Sequence, residues 1–256
     1  MLRLLLLWAC SAIGLLNLMR SCFIAAATAL DQWLAGKGEN HMARLTAAAA
    51  GLCGLLIPAV VAAAVEGKRF KQLTVDELTP AQHEVADEVL KVSSLGLQGP
   101  YNVMLRSPVM AKRMVSLLDY LRFNTSVPRR LNEFAILIQA RLWTSQVEWK
   151  AHYPLAIKAG LSEAVAADLL AGRRPAAMQP DEAAVYDLCV ELSTTHALSD
   201  ATFAKAKQVL NDQQVVDLVT LSGTYVTVAM MLAAGKEGTP DGSTPVPDLG
   251  MAQLAQ

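Results

Sequence analysis

Cysteine is scarce where it would matter most. Of the four cysteines in 256 residues, Cys10, Cys22 and Cys53 fall in the first 64 positions and only Cys189 lies beyond them. A single thiol forms neither an internal disulfide nor a CxxC redox pair. Its apolar setting, VYDLCVEL, is that of a small buried hydrophobe. No segment sustains the apolar–polar alternation of a strand, and aromatics make up only 5% of the chain. Alanine and leucine dominate instead, which favours helices. Positive charge is not concentrated either. Four of the 22 basic and two of the 23 acidic residues fall within positions 1–64, so the remainder carries a net charge of −3. Without a basic stripe, nucleic acid is not an expected partner. There is no phosphate loop, no dinucleotide fingerprint and no GxSxG elbow. No His/Cys/Asp cluster has metal-ligand spacing, so no metal and no cofactor are expected.

Long apolar runs are confined to the start. One covers 4–19, between Arg3 and Arg20, and a second covers 45–64 behind Met42 and Arg44. The second has the basic start, apolar middle and small-residue end of a signal peptide, with Pro58 placed to break a helix. At about 20 residues it is also long enough for a membrane anchor. The expectation is a hydrophobic leader over 1–64 and an exported product, periplasmic or secreted, with membrane attachment as the alternative. Met42 is a natural start for the signal alone, so the first 41 residues read as an over-extended gene start.

The rest divides into a domain over 65–237 and a Pro/Gly-rich flexible tail over 238–256. Helical periodicity recurs through the domain. Thr79-Pro80-Ala81-Gln82 reads as a capping box with proline at the first helical position. Ser107-Pro108 opens a helix whose expected core face is Met110, Met114, Leu117 and Leu121. After Val127-Pro128, a helix is apolar almost all round, as a central helix must be. Ser162, Ser199 and Asn211 or Asp212 are expected to cap later helices. The fold class is all-α, a bundle of about six to eight helices.

Chemistry concentrates in EFAILIQARLWTSQVEWKAHYPLAIKAGL. Glu148 and His152 are four residues apart and share a helix face, where an imidazole beside a carboxylate can move protons near neutral pH. Glu133 lies nineteen residues before His152, about 28 Å along a straight helix. The two can meet only if the chain bends or a second subunit intervenes. Trp143-Thr144-Ser145 is a plausible bend, because Ser145-Gln146-Val147-Glu148 is itself a capping-box pattern. In that case Glu148 serves only to hold the Ser145 amide. His83, in the first turn of a helix, and His196, in a connection, are poorer candidates.

These residues carry a resemblance. Gly99-Pro100-Tyr101-Asn102, Leu105-Arg106-Ser107-Pro108, Tyr120-Leu121-Arg122-Phe123, Arg130-Leu131-x-Glu133, Ala140-Arg141-x-Trp143, Glu148-Trp149-x-x-His152 and Ala159-Gly160-Leu161 resemble the carboxymuconolactone decarboxylase-like family. That family also contains the alkyl hydroperoxidase D-like proteins. The resemblance implies an all-α oligomer, a trimer or hexamer of identical chains. Its peroxidase branch carries a glutamate, cysteines twelve and fifteen residues on, and a histidine nineteen on. Counting from Glu133 lands on Ser145, Glu148 and His152. Both thiols are replaced, and a serine hydroxyl neither ionises readily nor forms a disulfide. The resemblance therefore implies cofactor-free acid–base chemistry, decarboxylation or isomerisation, on a small carboxylated lactone or organic acid. In this reading His152 moves the proton, Glu148 orients and tunes it, and Glu133 is a second carboxylate. Arg141 or Arg106 holds the substrate carboxylate, and Tyr101 and Asn102 line the pocket mouth. The alternatives are a peroxiredoxin-like member without its redox cysteines and a non-catalytic small-molecule-binding oligomer.

Overall fold

Nine α-helices and no strand are present among the residues that the computed structural model describes, 67–93 and 95–248. These residues belong to one unit, Gly67–Gln256. The leader expected over 1–64, and the alternatives for its role, lie outside the described residues. The helices are α1 (Pro80–Val92), α2 (Pro100–Met104), α3 (Pro108–Asp119), α4 (Arg129–Leu142), α5 (Gln146–Lys158), α6 (Glu163–Leu170), α7 (Pro180–Thr195), α8 (Asp200–Val209) and α9 (Asp212–Gly235). Four starts are fixed by side chains that accept from the first turn: Thr79 for α1, Ser162 for α6, Ser199 for α8 and Asn211 for α9. Each such cap stabilises its helix by about 1 kcal/mol.

Helix α4 is the centre. Every residue from Leu131 to Leu142 is buried, because α5, α6, α7 and α9 all pack on it. Of the polar side chains this traps, Asn132, Glu133 and Gln139 are paired, whereas Nε and one terminal nitrogen of Arg141 find no hydrogen-bond partner. Gln139 bonds Ser193 of α7 and Ser222 of α9. At the partly buried end, Arg130 bonds Asp181 at 2.7 Å and also Glu182, pinning the start of α7. Helix α9 is long and apolar enough to span a membrane by length and composition, but more than half of that stretch is buried inside the bundle.

Two expectations need restating. The core face of α3 is Ala111, Val115 and Leu118, continued by Leu121, rather than Met110, Met114, Leu117 and Leu121. The helix carries two apolar stripes one residue apart. The stripe with the small Ala111 is buried, while Met110, Met114 and Leu117 line a groove with Thr227 and Met231 of α9. Helix α2 begins at Pro100, directly after a glycine turn. Gly99 makes that turn with φ +60, and a Cβ there would meet Val147 at 3.4 Å, so glycine suits the position twice over. The segment 238–248 has no regular structure, yet it is strapped to α5. Gln146 exchanges two 2.8 Å bonds with the backbone of Val246, and Lys150 pairs with Asp241.

Asn102 ties the two ends of the unit to α2. It accepts from the Leu73 amide at 3.1 Å and donates to Phe70 O at 3.2 Å and to Glu237 Oε1 at 2.8 Å. Lys68 Nζ lies 2.9 Å from the other oxygen of Glu237. Arg106 bonds Lys71 O and stacks over Phe70. Replacing Asn102 with alanine strands a buried carboxylate oxygen and a backbone amide. Urea unfolding of Asn102→Ala should show a loss of about 3 kcal/mol. A loss within about 0.5 kcal/mol, the range of ordinary surface substitutions, would show that these bonds hold nothing together.

Candidate functional site

The chain breaks between α4 and α5. Trp143 N–H closes the last turn on Gln139 O, Thr144 takes a left-handed φ of +49, and Ser145 N–H reaches back to Ala140 O at 2.7 Å. A β-branched residue with positive φ is costly, so this short reversal must be held by its surroundings. Its effect is to fold α5 back along α4. Glu133 and His152, far apart on a straight helix, then meet with Oε2 2.7 Å from Nδ1. Both side chains are buried.

That contact fixes the imidazole. A carboxylate only accepts, so Nδ1 carries the hydrogen. Nε2 is then an acceptor, and the Tyr225 hydroxyl of α9 donates to it at 3.2 Å. The two rings meet edge to face, 5.1 Å apart. The other oxygen of Glu133 lies 3.6 Å from Arg129. Burial is the largest influence on His152 and pushes it below its ordinary value of 6.5. Glu133 pulls upward, and the charges of Arg122 and Arg129 push down again. The ring is neutral at neutral pH.

Glu148 is held differently. Ser145 is the N-cap of α5 but makes no side-chain cap bond. Both Glu148 oxygens are buried without a hydrogen-bond partner, so Glu148 does not hold the Ser145 amide. Burial raises its pKa from 4.5 to about 8, against the opposing pull of the nearby Ser145 hydroxyl. That hydroxyl is close enough to act on the charge, yet it makes no hydrogen bond of normal geometry. Glu148 is a neutral carboxylic acid at pH 7.

Glu148, His152 and Tyr225 line one cavity of about 50 Å³ with Tyr101, Arg122, Met104, Leu118 and Val228. Arg122 comes from a π turn, Tyr120–Asn124, that continues α3. Buried Asp217 anchors this turn through Tyr120 and Thr125, and Asn132 donates to Leu121 O at 3.0 Å. Burial alone would lower the Arg122 pKa, but Tyr225, Tyr101 and Glu133 outweigh it and the guanidinium is held charged. Its Nε is buried with no hydrogen-bond partner. Burial raises the phenols of Tyr225 and Tyr101, so both stay protonated.

The expected roles shift accordingly. Glu133, rather than Glu148, is the carboxylate hydrogen-bonded to His152, and Glu148 is left free to face the cavity. Of the four residues proposed for substrate, only Tyr101 is in the wall. Asn102 is committed to Phe70, Leu73 and Glu237, and Arg106 to Phe70 and Lys71. Arg141 is buried at the end of α4 and is not in the cavity wall; burial lowers its pKa against the charge of Asp248. Arg122 and Tyr225 are the residues that sequence reasoning missed. A tyrosine in an otherwise apolar stripe was the available signal, since a buried phenol needs a partner. Among the described residues no three His, Cys, Asp or Glu side chains gather as they would around a metal ion.

No family model matches the chain, and no curated protein matches it. Among solved structures it is similar to the alkylhydroperoxidase AhpD core of Ralstonia eutropha JMP134, described as an uncharacterized peroxidase-related protein. The match has a TM-score of 0.59 and 13% identity, covering 71% of this chain and 98% of that one. Such a likeness establishes the fold alone: the chain has an AhpD-like all-α fold.

The two buried groups impose opposite pH dependences. Glu148 holds its proton more tightly when folded, so its contribution to stability is full below pH 4.5 and is lost as pH rises through about 8. His152 holds its proton less tightly when folded, so its contribution is full above pH 6.5 and is lost as pH falls. The Glu148 effect is therefore uncompensated between about pH 6.5 and pH 8, where stability should fall by about 1.4 kcal/mol per pH unit. Denaturant unfolding of wild type and Glu148→Gln should differ by a gap that varies with pH at this slope. A gap independent of pH would mean that Glu148 is hydrated and ordinary.

Proposed function

We propose that the cavity performs cofactor-free proton transfer on a small organic acid, by decarboxylation or isomerisation of a carboxylated lactone or a related compound. One observation carries the reading: a neutral carboxylic acid, a neutral imidazole with a fixed tautomer and a guanidinium line the same small cavity. Groups that exchange protons near neutral pH are the most effective general acids and bases.

Arg122 replaces Arg141 and Arg106 as the anchor for the substrate carboxylate, through charge-assisted hydrogen bonds. His152 takes a proton at Nε2 once Tyr225 turns its hydroxyl towards a substrate oxygen, and Glu133 stabilises the imidazolium that forms. Glu148 gives its proton to the carbon that receives the electron pair. In a decarboxylation that pair comes from the broken C–C bond as carbon dioxide leaves. In an isomerisation it is the C–H bonding pair left on the substrate when His152 removes a proton from another carbon.

Thiol chemistry has little support from the residues. Cys189, on α7, is fully buried, its pKa is pushed up to about 12, and it is absent from the cavity wall. The family resemblance also supports a homo-oligomer, for which the exposed Val216, Val219 and Met230 of α9 supply an apolar face.

The full chain, screened against small carboxylated lactones, should show turnover that survives a thiol-blocking reagent. His152→Ala should lower kcat/KM by about a hundredfold or more. Arg122→Met should raise KM by about tenfold or more, the value of a lost charge-assisted bond. Turnover abolished by the thiol reagent would overturn the acid–base reading. Ligand binding without turnover would reduce the cavity to a binding site.

A further inference from the structure

We propose that Ser145 is a proton relay that joins Glu148 to water in a second cavity beside the first turn of α5. The second cavity, of about 240 Å³, lies between the α4–α5 reversal and the C-terminal segment; its wall includes Trp143, Ser145, Gln146, Leu232 and Gly242. Val147 belongs to both cavities, Glu148 only to the first and Ser145 only to the second. Ser145 and Glu148 are the N-cap and third residues of α5, positions whose side chains lie side by side in any helix start. Neither makes the capping bonds usual there. The Ser145 hydroxyl and both Glu148 oxygens are buried without a fixed partner. The serine thus stands between an unsatisfied acid and a water-sized space.

The relay answers a need that follows from Glu148 acting as the acid in the reading above. The first cavity has room for a few waters. An organic acid bound there displaces them. Once Glu148 has given up its proton, its carboxylate faces a ligand rather than solvent. Through Ser145 the loss is made good from behind. The serine oxygen accepts a proton from hydronium in the second cavity while its own hydroxyl proton passes to Glu148. The serine ends as it began, and one proton has moved. Around Glu148 the ionisable neighbours are His152 on its own helix, Arg122 of the π turn, Tyr101 of α2 and Tyr225 of α9. On the far side, Lys236 and Glu237 line the second cavity. None of them sits between Glu148 and that cavity as Ser145 does.

Infrared spectroscopy of the full chain tests this without substrate, so a failed turnover screen leaves it readable. The protonated-carboxyl band of Glu148 is identified by its absence in Glu148→Gln. The first cavity is then filled with a saturating small non-reactive carboxylate, such as formate or acetate, and the band is followed after transfer to deuterated buffer. Wild type and Ser145→Thr should exchange quickly. Ser145→Ala should exchange more slowly by about tenfold or more, the usual effect of losing a positioned proton-transfer group. Its Glu148 titration midpoint should also move upward, because the hydroxyl that favours the charged form is gone. Ser145→Cys keeps the volume with a poorer hydrogen-bonding group and stands in if the alanine variant does not fold. Exchange as fast in the variants as in wild type, with an unmoved midpoint, would overturn the relay. Slow exchange in Ser145→Thr as well would make the serine a packing element instead.

Discussion

A buried carboxylate must find hydrogen-bond partners or lose its charge, and Glu133 finds His152. The site depends on that contact. Glu133 belongs to a helix with no exposed face to retreat to, and His152 belongs to the helix that folds back over it. The 2.7 Å bond between them requires the reversal at Trp143, Thr144 and Ser145, and with it the left-handed Thr144. It also settles the imidazole tautomer, which leaves Nε2 to face Tyr225. Moving the reversal by one residue would turn His152 by about 100° around α5, and the pair, the tautomer and the cavity wall would all be lost together. The strained residue is tolerated because helices on several sides hold α4 in place.

Glu133 and Glu148 both lie beside His152, and their partners differ. Glu133 has a ring nitrogen and an arginine beside it. Glu148 shares its cavity with His152, Arg122 and two phenols but makes no hydrogen bond to any of them, and burial raises its pKa to about 8. The resting cavity consequently faces its contents with the charge of Arg122, a protonated acid and two phenols. An anion brought in there meets a cation with no committed hydrogen bond at Nε and no ionised carboxylate to repel it at neutral pH. That charge distribution is what supports the proposal of a small anionic ligand, before any particular reaction is considered.

Much of this was legible in the sequence, for reasons that differ by residue. The caps at Thr79, Ser162, Ser199 and Asn211 were readable because capping is local. The central position of α4 followed from an apolar surface that has nowhere else to go. The meeting of Glu133 and His152 could be framed as a condition, a bend or a second subunit, because helix rise is fixed; the chain itself supplies the bend. Which arginine faces the cavity was not readable. Arg106, Arg122 and Arg141 all lie near apolar stretches, and only the packing of α2 on the chain ends, and of the π turn on Asp217, decides among them. Asn102 was misleading for the same reason, since a polar residue beside a glycine turn serves a pocket mouth or a backbone clasp equally well. The buried stripe of α3 was off by one because two stripes of similar hydrophobicity compete there, and the winner is set by close approach to α1.

The location of Glu148 carries a further consequence. It sits in the first turn of a helix, where backbone dipoles favour a negative charge by up to about 2 kcal/mol in partly buried settings. Here burial overrides the dipole and the group stays protonated. The balance depends on how dry the cavity is. Exclusion of water from the cavity favours the neutral form, whereas hydration works with the dipole and the Ser145 hydroxyl towards the ionised form. Solvation of the cavity is therefore what sets the state of this carboxyl group, with no movement of the backbone required.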